Sequence, residues 1–309
     1  MNDPGQREQI DERAVNTVVD VSLALLFVGV AVTALTTVPF ENDAEYDPNQ
    51  AEYTTETLGS STINITYSAI ASDNQLDENS GQLRRETHGS IASLAGSVAV
   101  AKGRFDNGPV LTNTGIPFER ALDERVQTAL VESSFETNIT AVWEPFDGAS
   151  VRGMASVGQS PPDSGAVSTA TMTVPSDMES VHRDAIEAVE RGGGYEAVAE
   201  LLAEAVIEGY LPELESKRAL ERSGPDRTLT RQRYERMARA IDGVDPNDES
   251  VAENVELHSV DTDDLNEYLV DQLADQFEAE LMETFEAPGE AAAAVSVDEV
   301  TIAVRTWQP

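Results

Sequence analysis

The chain has 309 residues, no cysteine and a formal net charge of −37, from 57 acidic and 20 basic residues. The absence of cysteine excludes disulfide bonds, thiolate metal sites and a cysteine nucleophile. At low ionic strength such a charge makes a folded domain repel itself, whereas at molar salt the Debye length falls to ~3 Å. Because 40% of the residues are hydrophobic and several segments are periodic, we interpret the chain as a salt-adapted folded protein rather than a disordered acidic one.

The N-terminal region predicts a membrane anchor. Residues 1–13 are polar and end in Arg13, and residues 14–40 follow as an apolar run. Residues 21–38 alone span roughly 27 Å as a helix, close to the hydrocarbon thickness of a bilayer, so we predict a transmembrane helix. The positive-inside tendency then predicts a single-pass cell-membrane protein with a cytoplasmic tail and an extracellular remainder. A cleavable secretory signal is the competing interpretation, since residues 32–34 resemble a cleavage site.

Asp20 is a carboxylate inside this apolar run. An aspartate at the centre of a transmembrane helix costs ~2.5–3.5 kcal/mol and less near the interface, so its presence indicates a functional role by default. The alternative is that Asp20 lies at the headgroup boundary, where it needs no partner.

After the apolar run, residues 41–60 lack apolar periodicity and are predicted to form an acidic spacer. Residues 61–176 are predicted to be the strand-rich part of an external domain. The predicted elements are a strand at 62–70, helices at 85–102 and 117–133, and strands at 137–145, 150–158 and 166–175. The last three strands suggest an antiparallel meander.

Residues 177–309 are predicted to be the helix-rich part of the same domain. The predicted helices cover 178–191, 196–220, 227–241 and 262–285. Val300, Ile302 and Val304 alternate with polar residues near the C-terminus, which predicts a strand that returns to the sheet begun near Thr62. The whole external domain, 61–309, is therefore expected to have an α+β fold with a mainly antiparallel sheet.

No catalytic motif is present. The histidines His88, His182 and His258 are scattered outside any ligand spacing, and the sequence has no nucleophile elbow, P-loop or dinucleotide fingerprint. Residues 245–256 place oxygen ligands as an EF-hand loop does, but Ser250 stands where the turn needs glycine, so a polar loop is the preferred interpretation. We predict no enzyme activity, no catalytic or metal-binding residue and no cofactor.

One positive cluster stands on this acidic chain. It contains eight of the twenty bases: Lys217, Arg218, Arg222, Arg227, Arg231, Arg233, Arg236 and Arg239. Arg227, Arg231, Arg236 and Arg239 are candidates for binding an acidic partner or a second copy, because complementary patches steer association. Alternatively the cluster faces acidic neighbours within the fold, with cations favoured near a helix C-terminus. Nucleic acid is not a predicted partner, because the net charge repels phosphate.

Two sequons, at Asn64 and Asn138, lie in the predicted external part. Each is a candidate glycan acceptor if the cell glycosylates its surface proteins. Both fall inside predicted strands, where acceptors are poor.

The segment "RAVNTVVDVSLALLFVGVAVTAL" resembles the N-terminal segment of haloarchaeal type IV pilin-like proteins. In that family a peptidase cuts after a small residue that follows a basic one, which places the processing residues here at Arg13, Ala14 and Val15. The resemblance also implies that Asp20 pairs during assembly with the new N-terminal amine of a neighbouring subunit. The remainder is similar to an uncharacterised family of haloarchaeal single-span proteins.

The sequence departs from the pilin pattern in two places and in size. Asn16 stands where serine is frequent, and Val18 where proline is often found. Because the exposed part is also much larger than in typical major subunits, the resemblance favours a minor or accessory subunit.

The leading hypothesis is a non-enzymatic, membrane-anchored surface protein that is an accessory subunit of a type IV pilus-like assembly. Its expected partners are the lipid bilayer and other pilin-like subunits. The alternative is a stand-alone, signal-anchored envelope protein whose external domain binds a ligand or partner.

Overall fold

A computed structural model describes residues 49–70, 82–106, 108–130, 135–162, 165–241, 244 and 262–309. All of them belong to one folded unit, Tyr46–Pro309. The predicted tail 1–13 and the predicted transmembrane helix 14–40 lie outside the described residues. Within the described ranges, no helix combines the length and the apolar character needed to cross a bilayer.

The described residues form seven strands and nine helices. The strands are β1 (Thr62–Ile70), β2 (Gln82–Ser90), β3 (Arg104–Phe105), β4 (Glu136–Trp143), β5 (Val151–Gly158), β6 (Ser168–Pro175) and β7 (Glu299–Trp307). The helices are α1 (Gln50–Ser60), α2 (Ile91–Ala101), α3 (Gly115–Leu130), α4 (His182–Glu190), α5 (Gly194–Tyr210), α6 (Glu213–Glu221), α7 (Pro225–Ala240), α8 (Thr262–Thr284) and α9 (Pro288–Ala293).

The strands form a β1-β2 hairpin and a five-stranded sheet in the order β3-β5-β4-β7-β6. Every pairing is antiparallel, which confirms the expected α+β class. Two expectations about the sheet were wrong. β7 does not return to β1 but lies between β4 and β6, and β6 does not extend a meander beside β5. The reason is that an apolar alternation predicts a strand without specifying its neighbours.

Among the described residues, helices cover one face of the five-stranded sheet. Along β5, Val151, Ala155 and Val157 are buried, whereas Arg152 and Met154 are exposed. This period of two places alternate side chains on opposite faces of the sheet. The other face, called here the open face, carries mostly polar residues, among them Thr140, Ser156, Thr169, Thr171, Thr173, Thr301 and Arg305.

Helix α2 covers the inner face of the sheet at close range. It has no charged residue and is buried over most of its surface, as expected of a helix inside a core. An added Cβ at Gly153 of β5 would lie 2.0 Å from the Ala99 carbonyl oxygen, and one at Gly96 would lie 2.7 Å from Val174. The two glycines therefore permit a backbone approach that no larger residue allows.

The β1-β2 hairpin packs against α3 rather than joining the large sheet. Tyr67 stacks on Phe118 of α3 with ring centroids 4.6 Å apart. The helix predicted at 85–102 is wrong over its first residues, because 85–90 pair with β1. The helix begins after Ser90, whose hydroxyl accepts the Ser93 N–H at 3.1 Å and so caps its N-terminus.

Part of the predicted spacer 41–60 is helical. Residues 50–60 form α1, which buries Ala51, Thr55 and Leu58. Its N-terminal end is tied to β6 by the Ala51 N–H, which donates to the Ser168 hydroxyl at 3.4 Å. The apolar positions are too few for a visible period, so contact with the sheet decides the structure here.

Helix α8 packs beside the β4-β5 connection. Phe146 of that connection meets Phe277 of α8 edge to face at 5.6 Å, and Trp143 donates to the Val297 carbonyl at 2.8 Å. The single helix predicted at 196–220 is two helices, α5 and α6, because Pro212 lies at the break. The break turns the chain so that α6 begins beside α5 and α8.

Candidate functional site

A cleft of about 400 Å³ lies where α5, α6 and α8 meet. Its lining, called here the acidic cleft, consists of Glu179, Glu204, Ile207, Glu208, Glu213, Asp263, Asn266, Glu267 and Val270. Six of the nine lining residues are carboxylates, two each from α5 and α8, one from α6 and one from the segment before α4. The cleft therefore concentrates negative charge from residues that are distant in sequence.

The packing of α5 explains how its glutamates reach the cleft. Val198, Leu202 and Val206 recur at every fourth position of α5 and are buried, so they form the apolar stripe of this helix. Glu204 and Glu208 are exposed and lie one turn apart on the same helix face. Burial of the apolar stripe against α8 thus places these glutamates opposite the acidic first turn of α8.

A buried polar chain forms the support of the cleft. The Tyr234 hydroxyl donates to Asn266 Oδ1 at 2.8 Å, and Asn266 Nδ2 donates to the Leu211 carbonyl at 2.9 Å. Burial raises the pKa of Tyr234 to about 12. The chain links α7, α8 and the α5-α6 junction, so it fixes the three elements around the cleft.

The carboxylates of the cleft repel one another. Within the described part of the chain, none of the six forms an ion pair with an arginine or lysine. Glu208 accepts a hydrogen bond from the Glu213 backbone N–H at 3.2 Å. Among the described residues, no group of three or more acidic or histidine side chains is placed to hold a metal ion.

The predicted arginine cluster lies on α6, α7 and the turn between them. Arg231 and Arg239 both approach Glu235, at 3.7 and 3.6 Å, and Arg236 donates to the Val110 carbonyl at 3.3 Å. Arg227 also has a partner. These contacts favour the structural interpretation of the cluster, and binding of an acidic partner through it stays a prediction.

Arg233 is the most enclosed arginine of the cluster. Its guanidinium donates to the Tyr210 carbonyl at 3.1 Å and to the Thr230 hydroxyl at 3.4 Å. Burial lowers its pKa, and the neighbouring Arg85 lowers it further. Arg233 therefore serves to cap the C-terminal end of α5, where a cation is favoured.

The two sequons differ in accessibility. Asn64 is exposed on β1, opposite His88 of β2. Asn138 is 4% exposed, and its amide donates to the Ser156 hydroxyl at 3.3 Å. If a glycan is present, the folded domain offers Asn64 and encloses Asn138.

Several predicted residues lie outside the described part of the chain. They are the processing residues Arg13, Ala14 and Val15, the assembly residue Asp20, the polar loop 245–256 and His258. Of the other histidines, His182 donates from Nδ1 to the Val295 carbonyl at 3.0 Å, a structural contact.

A family model matches residues 19–307 and is described as a family of unknown function (DUF7284). The chain belongs to this family. No curated protein matches the chain. No solved structure matches it either. The DUF7284 match begins within the apolar N-terminal segment and ends at residue 307.

Sequence reasoning missed the acidic cleft of this DUF7284 protein. The spacing of Glu204 and Glu208 was visible as part of a ladder that begins at Glu196. Their meeting with Asp263 and Glu267 was not, because it depends on how α5 packs against α8. A local pattern along one helix predicts the site residues on that helix, but it does not predict which residues of another helix lie opposite them.

The cleft and the Glu196–Glu200–Glu204–Glu208 ladder predict that the domain needs salt for stability. Each like-charge pair one turn apart costs ~0.2–0.5 kcal/mol when unscreened. Raising potassium chloride from ~0.1 to ~2 M should increase the melting temperature of residues 46–309 by roughly 5 °C or more. Glu204→Gln should reduce the salt dependence more than Glu283→Gln on the exposed end of α8. Equal stability at both salt concentrations would contradict the salt-adapted interpretation.

Tyr234 predicts a loss of stability in alkali. Its folded-state pKa of about 12 exceeds the value near 10 of an unfolded tyrosine, so the folded chain holds the proton more tightly. This contribution is complete below pH ~10 and is lost as the pH rises toward ~12. Tyr234→Phe should destabilise the domain at neutral pH by ~1–3 kcal/mol, because Asn266 loses a partner.

The same variant should show a smaller further loss of stability between pH ~10 and ~12, measured by denaturant melts. Tyr53→Phe, at a tyrosine that is 57% exposed, is the matched control and should behave as the unmodified chain. If Tyr234→Phe loses as much stability between pH ~10 and ~12 as the unmodified chain, the loss comes from titrating groups other than Tyr234.

Proposed function

We propose that this chain is a membrane-anchored cell-surface protein. Residues 14–40 would form its single transmembrane helix, with residues 1–13 in the cytoplasm and the unit 46–309 outside. The observation that carries the proposal is the apolar run that ends just before this unit. The family match covers residues 19–40 together with the folded unit as far as residue 307.

At a finer level, we propose a non-enzymatic accessory or minor subunit of a type IV pilus-like assembly. The support is the likeness of residues 13–35 to the N-terminal segment of pilin-like proteins, with a basic and a small residue before a polar-headed apolar helix. Cleavage after Ala14 would leave Val15 with a free amino group at the membrane edge. Such an amine is charged at neutral pH, with a pKa near ~8.

Asp20 supports this assembly role. In the proposed assembly, its carboxylate pairs with the Val15 amine of a neighbouring subunit and aligns one helix against the next. Pairing would also explain why a carboxylate is tolerated within the apolar run, where an unpaired one is costly.

The second candidate is a stand-alone, signal-anchored envelope protein with a partner-binding external domain. Two observations favour it: Asn16 and Val18 depart from the pilin pattern, and the folded unit 46–309 is large for a filament subunit. The two candidates differ in whether the N-terminus is processed.

The mass of the mature N-terminus separates the candidates. For the accessory subunit we expect a chain that begins at Val15, because the peptidase removes the cytoplasmic tail. An intact tail would support the plain membrane anchor instead. A chain that begins at Leu35 would indicate secretion and contradict both anchored forms.

Asp20→Asn tests the pairing directly, since it keeps the shape of the side chain and removes its charge. We expect normal membrane insertion and a normal start at Val15, but weaker co-purification of other pilin-like subunits. Unchanged association would place Asp20 at the headgroup boundary without a partner and would refute the pairing.

A further inference from the structure

Strand β6 is the outermost strand of the sheet, and one of its edges faces away from β7. The Ser176 N–H donates to the Asp298 carbonyl at 2.9 Å, continuing the β6-β7 register beyond Pro175. In an antiparallel pair, backbone groups alternate between the two sides of the strand. Even-numbered residues therefore bond to β7, and odd-numbered residues direct their N–H and C=O groups to the free edge.

The residues that point to the free edge are Thr169, Thr171 and Thr173, and all three are exposed. Their backbone groups on that side have no hydrogen-bond partner among the residues the structure describes. Pro175 follows them in the same alternation and has no N–H, so it ends the row of donors. The edge thus offers a short, defined set of free donors and acceptors.

The opposite edge of the same sheet is closed. On β5, the Ser156 N–H donates to Glu119 Oε1 at 3.0 Å and the Gly158 N–H to Asp123 Oδ1 at 2.8 Å. Proteins normally blunt an exposed edge with charges, bulges or a covering element. The β6 segment 168–175 has no ionisable residue, although 25% of the chain is charged.

We propose that the free edge of β6 is a self-association surface that pairs with β6 of a second copy of this chain. The two strands run antiparallel, and their dyad passes midway between the two Thr171 residues, so the two sheets join into one. This pairing does not depend on the proposed function.

The sequence of the edge favours a second copy over another extended partner. Thr169, Thr171 and Thr173 are symmetric about Thr171, so antiparallel pairing sets threonine opposite threonine at every edge-facing position. A two-fold interface requires such a self-complementary patch. Each opposed pair exchanges two backbone bonds, which gives about six hydrogen bonds across the dyad. Threonine pairs across strands also contact favourably.

Charge restricts where two copies can meet. Each chain carries a net charge of −37, so acidic surfaces repel, and an uncharged strand avoids like charges directly opposite each other. Molar salt reduces the remaining long-range repulsion to a range of ~3 Å. Because strand pairing alone is smaller than the ~1,200–2,000 Å² of a standard interface, the dimer is expected to be weak.

Single cysteines test the dyad, since the chain has none of its own. In the full chain, purified in detergent at ~2 M potassium chloride, Thr171→Cys places two cysteines opposite each other with Cα atoms ~5.5 Å apart, within disulfide range. Thr301→Cys, an exposed threonine on the neighbouring strand β7, is the matched control. Its two copies lie roughly 20 Å apart, because they are separated by three strand spacings and are offset by four residues along the strands.

We expect mild oxidation to give a disulfide-linked dimer from Thr171→Cys at roughly ten times the yield from Thr301→Cys, because disulfide geometry is specific. Equal yields of linked dimer from the two variants would overturn the proposal. This is also the result expected if the chains associate only through their N-terminal segments.

A second pair of variants tests the backbone bonds themselves. Adding Thr173→Pro to Thr171→Cys removes an edge-facing N–H and leaves pairing with β7 intact, whereas Thr173→Val keeps the donor and the β-branched shape. The proline variant should lose most of its cross-linking at an unchanged melting temperature, and the valine variant should retain it. Cross-linking that survives the proline at full yield would refute edge pairing.

Discussion

The pairing of β7 on both of its sides is the interaction on which the rest of the domain depends. β7 bonds to β4 along one edge and to β6 along the other, so neither half of the sheet is continuous without it. Val300, Ile302 and Val304 are fully buried beneath α2 and its neighbours, and each contributes ~1.5–3 kcal/mol by leaving water. Because the helices α4 to α9 lie between β6 and β7 in sequence, the β6-β7 pairing joins strands that are far apart along the chain.

The position of β7 also decides which strands are exposed at the edges. Insertion between β4 and β6 moves β6 to the outside and leaves β5 beside the short β3. On the β5 side, Glu119 and Asp123 of α3 close the edge with hydrogen bonds that acidic side chains accept readily from backbone N–H groups. On the β6 side no corresponding element is placed among the described residues. One topological choice therefore produces one closed edge and one open edge.

Local patterns in the sequence predicted the elements well and their neighbours poorly. The strand at Thr62–Ile70 has the predicted bounds, because its side chains alternate between a face covered by α3 and an exposed face. The destination of β7, the strand at residues 85–90 and the helix α1 were missed, since each depends on a partner far along the chain. For the same reason, only one side of the acidic cleft could be predicted from the sequence. The glutamates of α5 recur with the helical period, whereas their approach to the acidic residues of α8 is a tertiary contact.

The distribution of charge determines where the surface can contact another copy of the chain. Arg233 and Arg236 donate to backbone carbonyls inside the domain, and Lys102 pairs with Glu119, so much of the scarce positive charge is engaged internally. The surface is correspondingly acidic and repels copies of itself over most of its area. In such a protein an uncharged, β-branched edge strand is informative, because charge was abundant elsewhere and would have blocked pairing at little cost to the fold. The same acidity that favours solubility therefore confines contact between copies to the few places where charge is absent.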